Sequence, residues 1–496
     1  MRYGFVIDQT RCIGCHACTV ACKEENRVPL GAFRTWVKYV EKGEFPNTRR
    51  YFGVLRCNHC DHAPCVTICP TVALYRREDG IVDFDRDRCI GCKSCMQACP
   101  YDALYIDPDT QTAAKCHFCA HRVERGLEPA CVIVCPERAI LAGDLDDPAS
   151  EVARVLGREQ VLVRKPEQGT RPKLFYVGAD AAVLTPQLQR AAAAYLWGQP
   201  MPAPDGQPMP ELPRTPKAVE ALGRTVYDVP HAPRPWGWRV PAYLFTKSIA
   251  AGAALFGVAG AFAGWTPALP ALLPLVALFY LVLTAGLLVT DLKRPDRFHY
   301  LLLKPNWRSW LVWGGWILVA FGLALGLWIL AERAGRTGAL AVLAVPLVAL
   351  ALAAAGYSAF LFAQAEGRDF WQSALVLPHL LVAAVVAGAA LALFAYGVRP
   401  VLRGALLTAL GANLLFVLAE LFMPHPNLDA AAAARLITRD RLQFWGFVVL
   451  AGHLLPALLL ATGSAPAAGA GALFAVAGLY FWEDCWVTAG QAVPLS

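Results

Sequence analysis

Apolar positions along this chain follow two regimes that change near residue 240. Before it, they come in short alternating runs such as Ile81-Val82-Asp83-Phe84 and Ala103-Leu104-Tyr105-Ile106, and a period of two predicts short strands beside loops. After it, they form eight long stretches: 241–264, 268–290, 309–331, 338–362, 373–396, 401–423, 443–463 and 466–482. A helix rising about 1.5 Å per residue needs about 20 such residues to cross a bilayer. The breaks carry charge, Pro or Gly, as at Asp291 to Arg297 and Arg399-Pro400. Eight such segments leave almost no polar helix faces with which to cover a soluble helical core. Small residues spaced as in Gly260-x3-Gly264 suit close helix packing in lipid. Between the regimes, 184–236 holds one helical stretch, Ala191 to Trp197, and many prolines from Pro200 to Pro235, which predicts an extended tether. The expected organisation is a first domain over 1–183, a Pro-rich linker over 184–236 and an eight-helix membrane region over 237–496.

Composition agrees with a membrane protein: 56% of the 496 residues are hydrophobic, and mean hydropathy is +0.41. The formal net charge of +7 is scattered, with no basic run that points to nucleic acid.

The chemistry is in the first regime. Sixteen of the 17 cysteines form four sets of four. Cys12, Cys15, Cys18 and Cys22 make a C-x2-C-x2-C-x3-C run, repeated by Cys89, Cys92, Cys95 and Cys99 with Pro100 behind. Cys57, Cys60, Cys65 and Cys69 lengthen the middle gap and precede Pro70; Cys116, Cys119, Cys131 and Cys135 lengthen it further and precede Pro136. Two-residue gaps let three thiolates reach three irons from one tight loop, and the fourth Cys of a run ligates the other cluster of a pair. Four runs therefore predict four [4Fe–4S] clusters. Zinc ribbons use two C-x2-C pairs, not runs of four ending in C-P. A disulfide framework belongs to small secreted domains, and Met1 to Thr10 has no secretory signal. Cys485 stands alone, and no ligand role is expected for it.

An even number of spans puts the cluster domain and the C-terminus on one side. Trp236, Trp238, Trp307, Trp310, Trp371, Trp445 and Trp482 then lie near that interface, and Trp265 and Trp328 near the other, as anchoring tryptophans do. Ionisable residues gather at the cluster-side leaflet: Tyr243 and Lys247 early in span one, Asp291 with Arg294 and Arg297 ending span two, Tyr357 late in span four, His379 early in span five, and Glu420 late in span six on the face of Asn413. Glu483 and Asp484 are expected to close span eight, and His453 alone approaches mid-membrane. Iron–sulfur clusters pass single electrons and handle no protons. A membrane partner that takes two of each is a quinone, and its site needs proton-exchanging groups in a polar pocket. The candidate quinone-binding residues are Tyr243, Lys247, Asp291, Arg294, Tyr357, His379 and Glu420. Each has a plainer reading, such as snorkelling for Lys247 and an interfacial ion-pair network for Asp291, Arg294 and Arg297.

The stretch from Cys57-Asn58-His59-Cys60 to Cys65, with Cys89-Ile90-Gly91-Cys92 to Tyr101 and Lys115-Cys116-His117-Phe118-Cys119, resembles the four-cluster electron-transfer subunit of the DMSO reductase family. The membrane half resembles the NrfD-like anchor of polysulfide reductase, through Asp291-Leu292-Lys293-Arg294-Pro295-Asp296-Arg297-Phe298, Asn306-Trp307-Arg308-Ser309-Trp310 and Gly367-Arg368-Asp369-Phe370-Trp371. The chain thus looks like a fusion of two proteins that are usually separate: an α+β ferredoxin-like iron–sulfur domain followed by an all-α polytopic bundle of eight transmembrane helices. The resemblance implies four ligand sets: Cys12, Cys15, Cys18 with Cys135; Cys116, Cys119, Cys131 with Cys22; Cys57, Cys60, Cys65 with Cys99; and Cys89, Cys92, Cys95 with Cys69. It also implies a separate molybdenum- or tungsten-pterin catalytic subunit, a menaquinone or ubiquinone site between the early spans and span four, and no haem.

The chain is then expected to be a non-catalytic redox subunit and membrane anchor, relaying electrons between the quinone pool and a catalyst of sulfur-compound chemistry (polysulfide, thiosulfate, tetrathionate, sulfite or DMSO type). Alternatives are a partner-free ferredoxin-like quinone oxidoreductase, a haem anchor through His379 and His453, and a structural anchor without a quinone site. Cluster-side loops hold Lys293, Arg294, Arg297, Lys304, Arg308, Arg368, Arg435, Arg439 and Arg441; the far loops hold Arg333, Arg336, Arg399 and Arg403. That bias favours a cytoplasmic iron–sulfur domain on a prokaryotic inner membrane, with a periplasmic placement as the alternative.

Overall fold

The computed structural model describes residues 1–43, 46–191, 222–231, 234–267 and 269–496. The chain divides into two compact units, Met1–Pro233 with Pro494–Ser496, and Arg234–Val493.

In the first unit, Tyr3–Asp8 runs parallel to Leu174–Val177 and antiparallel to Ile140–Asp144, with Val161–Leu162 at the edge. Strand alternation turns Phe5, Ile7, Leu174 and Tyr176 into a core shared with Phe118, Cys18 and Cys131. The predicted alternating runs form two hairpins, Leu74–Arg76 with Val82–Phe84 and Leu104–Ile106 with Ala113–Lys115. Cysteine-bearing helices are short: Ala17–Asn26, Pro64–Ile68, Ser94–Ala98 and Ala130–Ile133. Two of them are entered through left-handed residues, His16 at φ 60° and Lys93 at φ 64°, which fold the chain back on itself within one cysteine gap.

A second sheet takes the order Gln189–Ala191, Gly223–Tyr227, Thr35–Lys42, Arg49–Arg56. This differs from the tether expected over 184–236. Gly223–Tyr227 pairs antiparallel with Thr35–Lys42 and buries Val226. The helical stretch expected from Ala191 to Trp197 begins at the last residue of the strand Gln189–Ala191, and its remainder lies outside the described residues, as do most prolines of Pro200 to Pro235.

Among the described residues, the second unit contains eight helices long and apolar enough to cross a membrane: Arg239–Phe262, Leu272–Asp291, Trp310–Arg333, Thr337–Ala363, Val376–Tyr396, Pro400–Phe422, Arg441–Ala461 and Ala465–Ala492, spans one to eight. Seven follow the sequence pattern to within a few residues. Span eight does not stop at 482: it continues to Ala492, so Glu483 and Asp484 lie inside it rather than closing it. Close approach occurs where spans one and five meet backbone to backbone at Gly252 and Gly388, and where spans seven and eight meet at Gly452 and Gly478. A methyl group at any of these would strike the facing helix, which is the small-residue logic of packing in lipid. Gly260 instead makes room for the Tyr396 ring, and Gly264 lies beyond the helix end at φ 66°. Span seven opens as a π-helix over Arg441–Leu454, started by Asp440, whose carboxylate accepts from the Leu442 and Gln443 amides.

Candidate functional site

The first unit gathers its cysteines across runs. One cavity is lined by Cys12, Cys15, Cys18 and Cys135, and another by Cys69, Cys89, Cys92 and Cys95. Cys22 lies within electrostatic reach of Cys116, Cys119 and Cys131, and Cys65 within reach of Cys57, Cys60 and Cys99. Three cysteines of one run thus meet the last cysteine of another, four times over, in the four sets that the resemblance implies. Among the described residues no disulfide forms, and no three His, Cys, Asp or Glu side chains converge on a point where a single ion would sit. Cys485 is buried and belongs to none of the four sets.

The donor chemistry of these sets fits iron–sulfur clusters. Burial pushes the Cys18 thiol up to about 11 and those of Cys92 and Cys116 up to about 12, so a buried thiolate here needs a bound cation to hold it. Donors are already aimed at the sulfurs. The Gly91 and Ala113 amides donate to Cys89 Sγ at 3.4 and 3.3 Å, and the Ala139 amide donates to Cys135 Sγ at 3.3 Å. The Arg56 guanidinium donates to Cys131 Sγ at 3.0 Å. Such bonds stabilise anionic sulfur.

Polar groups of the membrane unit cluster at one end of the bundle, where odd spans begin and even spans end. Lys247 lies about 12 Å into span one at about 1.5 Å per residue. It is 1% exposed and donates from Nζ to Ser358 Oγ of span four at 2.6 Å, with its ammonium 4.8 Å from the Tyr357 ring centroid. Lys247 is thus buried and hydrogen-bonded inside the bundle and does not snorkel to the interface. Tyr243 and Tyr357 are buried beside it, and Asp291, half-buried at the end of span two, is within electrostatic reach of Tyr243.

A second group joins spans five, six and eight. His379 Nδ1 is 3.7 Å from Glu420 Oε2, and the Trp486 indole N–H donates to Glu420 Oε1 at 2.6 Å. The His379 ring stacks on Trp482 at 5.3 Å. Glu483 is buried between the groups, within electrostatic reach of Lys247, His379 and Glu420. Deeper in, His453 Nε2 meets Asn413 Oδ1 at 2.9 Å and its Nδ1 meets the Val448 carbonyl at 2.8 Å.

Of the seven candidates, Tyr243, Lys247 and Tyr357 come together, His379 and Glu420 form a second pair, and Asp291 borders the first group. Arg294 forms an ion pair at 2.8 Å with Asp296 in the loop after span two. Sequence reasoning misses Ser358, Glu483, Trp482 and Trp486 as members of the site. The signal for Ser358 is its polarity next to Tyr357 in an alanine-rich span. Trp482, Trp371 and Trp236, expected as interface anchors, are instead buried, with Trp236 stacked on Trp371 at 5.5 Å.

A family model described as 4Fe-4S dicluster domain matches residues 49–145, which hold the second, third and fourth cysteine runs, and one described as polysulphide reductase, NrfD matches residues 229–492. The sequence is 50% identical over 201 residues to the B subunit of tetrathionate reductase from Salmonella typhimurium, covering 40% of this protein and 80% of that one. It is 47% identical over 180 residues to protein NrfC of Escherichia coli, covering 36% and 81%. It is 45% identical over 181 residues to the B component of polysulfide reductase from Wolinella succinogenes, covering 36% and 94%.

Proposed function

We propose, from the premise that this chain belongs to the polysulphide reductase NrfD family and carries the iron–sulfur subunit of such reductases on the same polypeptide, that it relays electrons between membrane quinone and a separate catalytic subunit. Four [4Fe–4S] clusters, held by the sixteen cysteines of the four sets, supply one-electron transfer. The catalytic partner holds a molybdenum or tungsten pterin and acts on a sulfur compound, as the names of the tetrathionate and polysulfide reductase relatives suggest.

The observation that carries the quinone reading is the buried group of Lys247, Tyr243, Tyr357, Ser358 and Glu483 inside a bundle of apolar helices. Ionisable groups in a bilayer are costly, and they persist where they bind or move charge. In this reading the Lys247 ammonium and the tyrosine hydroxyls hydrogen-bond the quinone oxygens. When a quinol is oxidised, its two electrons leave singly for the clusters and its two protons pass to carboxylate and imidazole acceptors, with Glu483, His379 and Glu420 in line. Quinone reduction runs the same transfers backwards. The clusters face the cytoplasm of a prokaryotic inner membrane, since nine basic residues lie in the loops of that side against four opposite.

Anaerobic purification from detergent-solubilised membranes tests the reading. About 16 irons per chain, four for each of four cubanes, together with a co-purifying pterin-bearing protein, support it. A fully loaded protein that reduces or oxidises the substrate with no partner contradicts it. Protease treatment of right-side-out spheroplasts tests orientation: a protected cluster domain is expected, and a cleaved one places it outside.

A further inference from the structure

Among the described residues, Arg56 is the one buried cation of the first unit whose guanidinium is aimed at a cysteine sulfur. It ends the strand Arg49–Arg56, directly before Cys57, and its side chain is fully buried. Nη1 donates to Cys131 Sγ at 3.0 Å. The guanidinium carbon lies 4.6 Å from the Phe5 ring centroid, a cation–π contact that fixes its plane. Among the described residues its Nε and Nη2 meet no acceptor. Lys115, equally buried, differs: its ammonium is taken up by the carbonyls of Val82 and Cys116.

A buried charge left without a counter-charge is strongly disfavoured, so the structure needs an anion where the free donors of Arg56 point. The groups acting on it most strongly, after burial itself, are the sulfurs of Cys131, Cys116 and Cys18, not carboxylates. Cys116 and Cys131 belong to the set completed by Cys22, and Cys18 to the set completed by Cys135. A cluster bound to the first of these sets lies beside a permanent positive charge with two N–H groups to spare.

We propose that Arg56 is a positioning and tuning residue for the cluster held by Cys22, Cys116, Cys119 and Cys131, raising that cluster's reduction potential within the chain of four. Reduction adds one electron to the cluster as a reduced neighbouring cluster is oxidised; no proton moves and no bond breaks. The added negative charge strengthens the interaction with a fixed cation and with its hydrogen bond to Cys131 sulfur, and charge and hydrogen bonding at sulfur are the levers by which a protein sets such potentials. Because Arg stays charged at every working pH, the tuning does not depend on pH. The inference rests on the four-cluster reading above.

Potentiometric titration of the purified complex, followed by electron paramagnetic resonance, tests it. The signal is assigned to its cluster by its loss in Cys131→Ser. In Arg56→Gln that cluster is expected to become harder to reduce by at least tenfold in equilibrium constant, which is about 59 mV for one electron. The cluster held by Cys69, Cys89, Cys92 and Cys95 is expected to stay where it was. Arg56→Lys, which keeps the charge but loses the fork, is expected to shift less. A second readout needs no loss of the residue: in protein labelled with 15N only at arginine, hyperfine spectroscopy of the reduced cluster is expected to detect guanidinium nitrogen, and Arg56→Lys is expected to abolish that coupling. An Arg56→Gln protein with all four clusters and four unchanged potentials overturns the proposal. So does the absence of arginine coupling, should the Gln variant not assemble. Low iron in the unsubstituted protein instead overturns the four-cluster reading itself.

Discussion

Lys247 on span one and Ser358 on span four are joined by a 2.6 Å hydrogen bond in the interior of the bundle. Replacing a whole buried ion pair by apolar side chains is often neutral or stabilising, but removing one member strands its buried partner, and buried Glu483 lies within electrostatic reach of Lys247. Lys247→Met is therefore expected to lower the thermal midpoint, while quinol-dependent cluster reduction falls at least tenfold. Ser358→Ala keeps Lys247 but leaves its buried Nζ short of an acceptor, at a cost of about 1–3 kcal/mol, and is expected to slow reduction less. Thermal unfolding and stopped-flow reduction of both variants separate the structural role from the functional one.

Tyr357 owes its position to Gly314. A methyl group on Gly314 would overlap the Tyr357 ring, so the ring must shift in Gly314→Ala. Overpacking of this kind costs about 1–3 kcal/mol. The expected outcome is a several-fold rise in apparent KM for quinol with cluster content unchanged. Gly326→Ala on the same helix, where no atom lies within 4 Å of the added group, serves as the control and is expected to be silent.

Glu420 has two partners that can be separated by substitution. Glu420→Gln keeps an oxygen for the Trp486 indole N–H but removes the charge that faces His379 at 3.7 Å. It is expected to fold normally and to slow quinol turnover, with an altered pH–rate profile. Glu420→Leu strands the indole donor as well and is expected to destabilise the bundle by about 1–3 kcal/mol. Equal turnover in Glu420→Gln and the unsubstituted protein removes Glu420 from the proton chemistry.

His231, in the first unit, gives a pH dependence whose sign is fixed. Burial works to lower its pKa, but contacts with Asp102 at 2.7 Å and Asp228 at 3.2 Å outweigh burial and raise it to about 9. A raised value means that the folded state binds the proton more tightly than the unfolded chain does. The stabilisation is fully present below the ordinary value of about 6.5 and is lost as pH rises through about 9. Thermal midpoints of the clustered protein are expected to decline over that window, and His231→Gln is expected to flatten the decline.

Much of the fold is legible in the sequence. Apolar runs of about 20 residues have no other stable fate in a chain with so few polar helix faces, and four cysteine runs admit few chemistries. The misreadings have a common origin in local rules overridden by partners far along the chain. Charge usually ends a span, so Glu483 reads as a boundary, yet Glu483 faces Lys247 and His379 and the helix passes through it to Ala492. Tryptophan usually marks the interface, yet Trp482 stacks on His379 and Trp236 on Trp371, all buried. Prolines around Gly223–Tyr227 signal a tether, yet that short segment pairs with Thr35–Lys42 on one side and Gln189–Ala191 on the other and becomes an inner strand of a sheet. Ser358 carries little signal of its own, because a serine in an apolar helix becomes informative only when Lys247 is known to reach it.

The central claim is that electrons pass between quinone in the bundle and the iron–sulfur clusters by way of the Lys247 group. The most direct measurement adds a reduced menaquinone analogue anaerobically to membranes carrying the oxidised complex and follows cluster reduction by electron paramagnetic resonance, with dithionite afterwards to count all reducible clusters. The account predicts rapid reduction in the unsubstituted protein and at least a tenfold slower rate in Lys247→Met, with equal totals after dithionite. Equal rates in the two proteins would contradict it.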